Sequence, residues 1–223
     1  MLFNIFTKEG LIQFLYMLPA LLISLSIHEY AHAYTAYKFG DKSQKYLGRL
    51  TLDPFAHIDW FGFISIALIG IGWGKPVIVD DSNFKNKSKD NMLVSFAGPF
   101  SNFLLAILIT IVIKILLICH VIAISNGSFY SVNNTVNMLV TMLFYTVVFN
   151  VSFSVFNMLP FPPFDGEKVL EYFLPNVGKK FLKEMDSYSL IIVLVLCLTP
   201  LANYIITPVI NFIYSILLWI IMI

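Results

Sequence analysis

Long apolar runs, broken at only a few polar positions, make up most of the chain. A membrane-crossing helix needs about 20 consecutive apolar residues. Three runs meet that length: Leu11 to Ala36, interrupted by Gln13 and the cluster His28, Glu29, His32; Val94 to Ile118, with the single charge Lys114; and Val136 to Phe156, with no charge. The last run, Leu190 to Ile223, is cut at Thr199-Pro200 and at Thr207-Pro208, and reads as two helices joined by a tight turn near Pro200 to Asn203. Trp60 to Trp73 differs, being too short to cross and containing Gly62, Gly70 and Gly72; such a segment reads as re-entrant or broken. It leads into Gly72-Trp-Gly-Lys-Pro76 and then Val77-Ile-Val79, a β-rich triplet beside a proline, which predicts an edge strand or hairpin. The expected fold is an all-α polytopic membrane protein with about five transmembrane helices and a short re-entrant or β-hairpin segment around residues 60–80. Residues 1–223 read as one domain, with a core at about 11–175 and a C-terminal helical pair at about 188–223.

Composition narrows the class. The 223 residues are 58% hydrophobic and 12% charged, against roughly 25% charged for a soluble domain, so a soluble fold is excluded. A net charge of +1 offers no excess of positive charge to hold a polyanion, and nucleic acid is not an expected partner. With 21 Phe and 11 Tyr the chain is too apolar to stay disordered in water. The first run is about twice as long as a signal-peptide core and no A-x-A site follows it, so it reads as a retained helix.

Two cysteines, Cys119 and Cys197, lack C-x-x-C spacing; both fall near the same membrane face and could pair. The basic residues set the orientation. If Trp60 to Trp73 enters and leaves on one side, Lys38, Lys42, Lys45, Arg49, Lys75, Lys85, Lys87 and Lys89 share a face with Lys168, Lys179, Lys180 and Lys183. The positive-inside rule makes that face cytoplasmic in a multi-pass protein of the cell membrane.

His28-Glu29-Tyr30-Ala31-His32 has the H-E-x-x-H spacing. On a helix, residues four apart share a face, so both imidazoles can reach one zinc ion, and the glutamate is rotated to where it can reach the water such an ion activates. The competing account, two core histidines and an incidental carboxylate, has to place an unpaired charge inside a span, which costs about 2.5 to 3.5 kcal/mol on insertion scales. A catalytic zinc site needs a third protein ligand. His57, His120, Asp165 and several loop acids are available; His120 falls at the opposite membrane face, whereas Asp165, in Asn157-Met-Leu-Pro-Phe-Pro-Pro-Phe-Asp-Gly166, lies at a depth similar to that of the histidines.

These motifs occur in a fixed order. H-E-x-x-H in a first span is followed by Gly48-Arg-Leu-Thr-Leu-Asp-Pro-Phe-Ala-His-Ile-Asp59, Gly72-Trp-Gly-Lys-Pro-Val77, Ala97-Gly-Pro-Phe-Ser-Asn102 and N-x-x-P-x-P-P-x-D-G. From about residue 15 to 175 the chain resembles the site-2 protease family of intramembrane zinc metalloproteases, in a minimal form without an added PDZ or CBS domain. The resemblance implies a three-helix catalytic core, a zinc ion held by His28, His32 and Asp165, and Glu29 as general base. The expected partners are the lipid bilayer and a transmembrane-protein or signal-peptide substrate, in a cell membrane expected to be bacterial. The chain departs from the family pattern at Asp53, where Asn is usual, and at Phe164, where Leu is usual.

Other polar residues carry two readings. Asn157 could donate to the oxyanion of a tetrahedral intermediate, or, with Asn150 and Ser154 on the same helix face, tie helices together. Ala97-Gly98-Pro99 with Asn102 reads as a helix start with close packing at Gly98, and His57 as a loop histidine at the surface. A rival from another class is a membrane zinc transporter with His28, Glu29, His32 and Asp165 lining the ion path. Against it, the cluster is single, and no polar residues continue through the first span to the far side.

Overall fold

A computed structural model describes residues 5–69, 72–125 and 128–222. Three helices are long and apolar enough to cross a membrane: α1 (Lys8–Lys38), α4 (Lys87–Ile118) and α5 (Asn134–Asn157). Each begins where a polar side chain meets its free N–H groups: Thr7 accepts from Gly10, Asn86 from Lys89, and Asn133 from Thr135 and Val136. Between α1 and α4 lie the short α2 (Ser43–Tyr46), a 3-10 turn at Pro54–Ala56, and α3 (Trp60–Ile69). A two-stranded antiparallel sheet, β1 (Ala123–Ser125) with β2 (Ser128–Tyr130), joins α4 to α5. The chain ends in α6 (Gly166–Phe173), α7 (Pro175–Asp186), α8 (Ser189–Leu198), α9 (Leu201–Ile205) and α10 (Thr207–Met222).

The long helices pack up, down and up. His32 meets Val94, while His28 and Ser24, nearer the start of α1, both meet Asn102, deeper in α4. This antiparallel order puts the end of α1 and the start of α4 at the same end of the bundle. Residues 39–86 therefore return to the end they left, and an isolated antiparallel bridge, Ile58 with Gly74, brings together the two ends of the segment that contains α3. Gly62 and Gly72 permit this return, since a Cβ on either would strike the backbone of the other arm. The predicted Gly70 lies outside the described residues.

Several expectations need correction. Val77 to Val79 forms no strand; among the described residues the one sheet pairs 123–125 with 128–130. Pro76 has no N–H to give a ladder; Lys75 donates to the His57 carbonyl, and the bonds from Lys75 O to the Asp80 N–H run to side chains instead. Ala97-Gly98-Pro99 does not start a helix: α4 begins at Lys87, and Pro99 lies inside it. The C-terminal run forms helices of 10 and 16 residues, α8 and α10, with the five-residue α9 where a plain turn was expected. Both are shorter than the roughly 20 residues a span requires, so five spans are not established. Cys119 is exposed and free; the side chain of Cys197 lies outside the described residues.

Candidate metal centre

α1 and α4 cross so closely that a Cβ on Gly98 would strike the His32 ring and lie 2.8 Å from His28 Cε1. Pro99 also leaves the carbonyl of Ser95 without its helical donor, and one residue earlier Val94 O accepts from His32 Nδ1 at 2.8 Å. His28 Nδ1 lies 2.6 Å from Asn102 Oδ1. The Asn102 amide donates to Ser24 O at 3.0 Å and to Asn150 Oδ1 at 2.7 Å; Asn150 in turn donates to Ser24 Oγ at 2.7 Å and to Thr146 O at 2.8 Å. Ser24, Asn102 and Asn150 are fully buried. One network thus links α1, α4 and α5 and orients His28.

That network also fixes the tautomers. Both Nδ1 atoms face oxygens that only accept, so each Nδ1 carries a proton, and in the neutral imidazole each Nε2 presents a lone pair. The two Nε2 atoms are 3.0 Å apart, and Asp165 Oδ2 lies 3.2 Å from each. Asp165 immediately precedes α6, on the loop that follows α5 and contains the cis Pro162-Pro163 bond. Asp165 Oδ2 is buried with no donor. With both imidazoles neutral, the three acceptors would repel one another, and a cation at their centre resolves this. A tetrahedral zinc ion at about 2.0–2.1 Å spaces its ligands about 3.3 Å apart, close to the observed triangle. His28, His32 and Asp165 are a possible metal site, and the donor set fits zinc.

Glu29, 8% exposed, stands next to the first histidine of this triangle, and its Oε2 accepts the Val77 N–H at 2.9 Å. Segment 75–80 therefore lies against the H-E-x-x-H helix. Arg49, which donates to the carbonyls of Lys75 and Pro76, lies close enough to feel the Glu29 charge: burial lowers the guanidinium pKa and the carboxylate opposes that shift.

The remaining candidates sit elsewhere. Asn157 donates to Phe153 O, four residues back in its own helix, at 3.0 Å. His57 is not a surface residue: it is fully buried, with Nε2 bonded to Thr51 O at 2.8 Å and its own carbonyl taking the Lys75 N–H at 2.8 Å. Asp53 caps the 3-10 turn by accepting from Phe55 at 3.0 Å, a bond the usual Asn would also make. His120 lies just past the far end of α4. Sequence reasoning missed Asn102 as the partner of His28, although Gly98 and Asn102, four apart, had to share the face that meets α1.

The chain is 37% identical over 196 residues to "Putative zinc metalloprotease YwhC" of Bacillus subtilis (strain 168), covering 88% of this chain and 86% of that protein. It is 30% identical over 196 residues to the Rip2 protein of Mycobacterium tuberculosis (strain H37Rv), covering 85% of this chain and 69% of the relative. No solved structure matches the chain. The pattern of peptidase family M50 matches residues 16–200, and with it the chain belongs to that family, the site-2 protease family of membrane zinc metalloproteases.

Proposed function

We propose that this protein hydrolyses peptide bonds within or near transmembrane segments of membrane-protein substrates, with His28, His32 and Asp165 holding zinc and Glu29 acting as general base. The convergence of three acceptor atoms at 3.0–3.2 Å with no donor among them carries the reading. Zinc held there supplies Lewis acidity, making water acidic and polarising the scissile carbonyl. Glu29, one residue along from the first ligand, takes a proton from the attacking water and returns it to the leaving amine. Asn157 is the oxyanion donor in this reading: one amide hydrogen holds Phe153 O, and the other is available to the reacting carbonyl oxygen.

The carbonyls of a substrate helix are already hydrogen-bonded, so the substrate must locally unwind. Segment 77–79 is a surface on which an unwound chain can lie. Transmembrane proteins and leftover signal peptides fit such a site.

In the same reading α8 and α10 complete five membrane helices, since their apolar side chains are largely exposed, and the site opens toward the cytoplasm of a multi-pass cell-membrane protein. Cysteines at Ser88 and Ser187, both exposed positions, are expected to react with a membrane-impermeant thiol reagent only from the cytoplasmic side. Labelling of either from outside would overturn the orientation.

The test of the chemistry is Glu29→Gln. The substitution preserves the shape of the side chain and leaves the three ligands in place, so zinc content is expected to stay at the wild-type level, while cleavage of a membrane-spanning substrate falls by roughly 10² to 10⁴. Zinc retained with unimpaired cleavage would exclude Glu29 as the base. Zinc flux through wild-type liposomes without proteolysis would favour a transporter.

A further inference from the structure

Segment 75–80 forms neither helix nor strand, though exposure alternates from Pro76 to Asp80. Neighbouring backbone fixes only its start, through the Ile58–Gly74 bridge and the Lys75 N–H donated to His57 O; beyond that, three side chains from the stretch after α1 hold it. Arg49 Nη2 donates to Lys75 O, and to Pro76 O at 3.2 Å. Gln44 Nε2 donates to Ile78 O at 2.5 Å, and Asp41 Oδ2 accepts the Asp80 N–H at 2.9 Å. These are polar residues in and around the short α2, but Asp41, Gln44 and Arg49 are only 1%, 3% and 6% exposed. Their own mounting is firm: Asp41 Oδ1 accepts the Ser43 N–H at 2.8 Å, and the Arg49 N–H donates to Gln44 O at 2.8 Å.

We infer that Asp41, Gln44 and Arg49 are positioning residues that lock the register of segment 75–80 so that Val77 N–H is held on Glu29. The inference rests on the reading of Glu29 as the base. Register matters here because side chains and backbone groups alternate along an extended chain. Val77 and Val79 face inward, with Val79 against Ala36, Phe84 and Val94, while Ile78 is 77% exposed. A slip of one residue in one direction brings Pro76, which has no N–H, to Glu29. A slip the other way brings Ile78, whose N–H points to the opposite edge, and drives the Ile78 side chain inward. Val77 alone can serve, so the base is correctly presented only in the register that the three side chains impose.

Arg49 is the member hardest to replace, because it engages two successive carbonyls. Both bonds come from Nη2; methionine removes the donor and the charge on a shorter chain, whereas lysine keeps a cationic donor that does not reach as far.

The experiment uses the full chain, purified with zinc, as wild type, Arg49→Met and Arg49→Lys. Zinc content, hydrogen exchange of segment 75–80, and kcat on a membrane-spanning substrate are measured on the same samples. For Arg49→Met the expectation is wild-type zinc and unchanged exchange in α4 and α5, with exchange in 75–80 faster by at least about tenfold and kcat lower by about 10- to 100-fold. Arg49→Lys is expected to recover part of both. Wild-type exchange in 75–80 in a zinc-loaded Arg49→Met protein would overturn the lock; so would faster exchange with kcat unchanged. If Arg49→Met fails to fold, Gln44→Leu removes the Ile78 bond alone and is judged by the same two readings. Should the wild type cleave nothing, the protease reading fails, while exchange of 75–80 still decides whether the three residues hold the segment.

Discussion

The end of the bundle that carries the candidate metal site and the C-terminal helices are built on different principles. At the site, the α1–α4–α5 contact is made by buried polar groups: Ser24, Asn102 and Asn150 are all at 0% exposure, and each is tied to a named partner on another helix. In α8 to α10 the side chains are almost all apolar, and Leu190, Leu198, Tyr204 and Trp219 are 65–78% exposed. Only a few, such as Leu196, Ile206 and Leu217, are buried. Lipid tails are as apolar as leucine, so apolar contact gives helices little reason to choose one partner in a bilayer, whereas hydrogen bonds are directional. The polar end therefore specifies a geometry, and the apolar end supplies contact area. Each end is expected to fail differently when altered.

The largest effect lies at the ligands. Replacing Asp165 or His28 by alanine removes one of three zinc donors and, for Asp165, also the negative charge facing both imidazoles. Zinc content of the purified protein is expected to fall to a small fraction of wild type, with cleavage lost alongside it. Elemental analysis on the same preparation as the cleavage assay checks this. Full zinc occupancy in Asp165→Ala would break the assignment of the third ligand.

Asn102→Ala comes next. It touches no metal, yet it removes the acceptor that keeps the proton on His28 Nδ1 and strands the Asn150 carboxamide oxygen and Ser24 carbonyl that Asn102 had bonded. Outer partners of metal ligands typically matter by 10- to 100-fold in metal affinity or activity, and that range is expected for zinc affinity measured by competition with a chelator. Asn102→Asp keeps an acceptor for His28 and should retain more affinity than alanine, though it loses both donor bonds. Alanine with wild-type affinity would mean that the polar network holds the helices and leaves the metal untouched.

The sequence makes one part of this contrast plain and hides the other. H-E-x-x-H and Asp-Gly are legible because the chemistry needs those residue types, and their occurrence inside or beside apolar runs has few other causes. The three long helices are legible for the same reason, length and apolarity being what a bilayer demands. Asp41, Gln44 and Arg49 were not, because polar residues in a loop are usually solvated and nothing local shows that a distant backbone segment will cover them. The β-rich Val77-Ile78-Val79 pointed to a strand, but the partners its backbone found were side chains. Pro99 misled the placement of the start of α4 because a proline near N1 and a proline inside a membrane helix look alike without the seven polar and apolar residues before Val94 being read as helix. His57 failed in the same way as Arg49, its burial depending on the return of residues 74–75 to the loop.

The smallest functional effect is expected in the apolar region, where it sharpens the contrast. Leu217 on α10 is 3% exposed and packs in a cluster with Ala106, Ile113, Val140, Val147 and Val151 from α4 and α5. It borders a cavity of about 180 Å³ that Phe129, Phe144 and Tyr214 also line. Leu217→Ala enlarges that cavity, and the loss is one of dispersion contacts, because in lipid the released surface meets neighbours as apolar as those it left. The cost is expected at or below the low end of the range for buried leucine, about 2 kcal/mol, and should appear as a lower unfolding temperature in detergent. Zinc occupancy should not change, and cleavage at 25 °C should stay within about twofold, since the Leu217 side chain makes no hydrogen bond and lies on α10, outside the polar network of Ser24, Asn102 and Asn150. A fall in zinc occupancy would show that α10 helps set the crossing of α4 and α5 at the metal, and the two ends of the bundle would then have to be treated as one coupled unit.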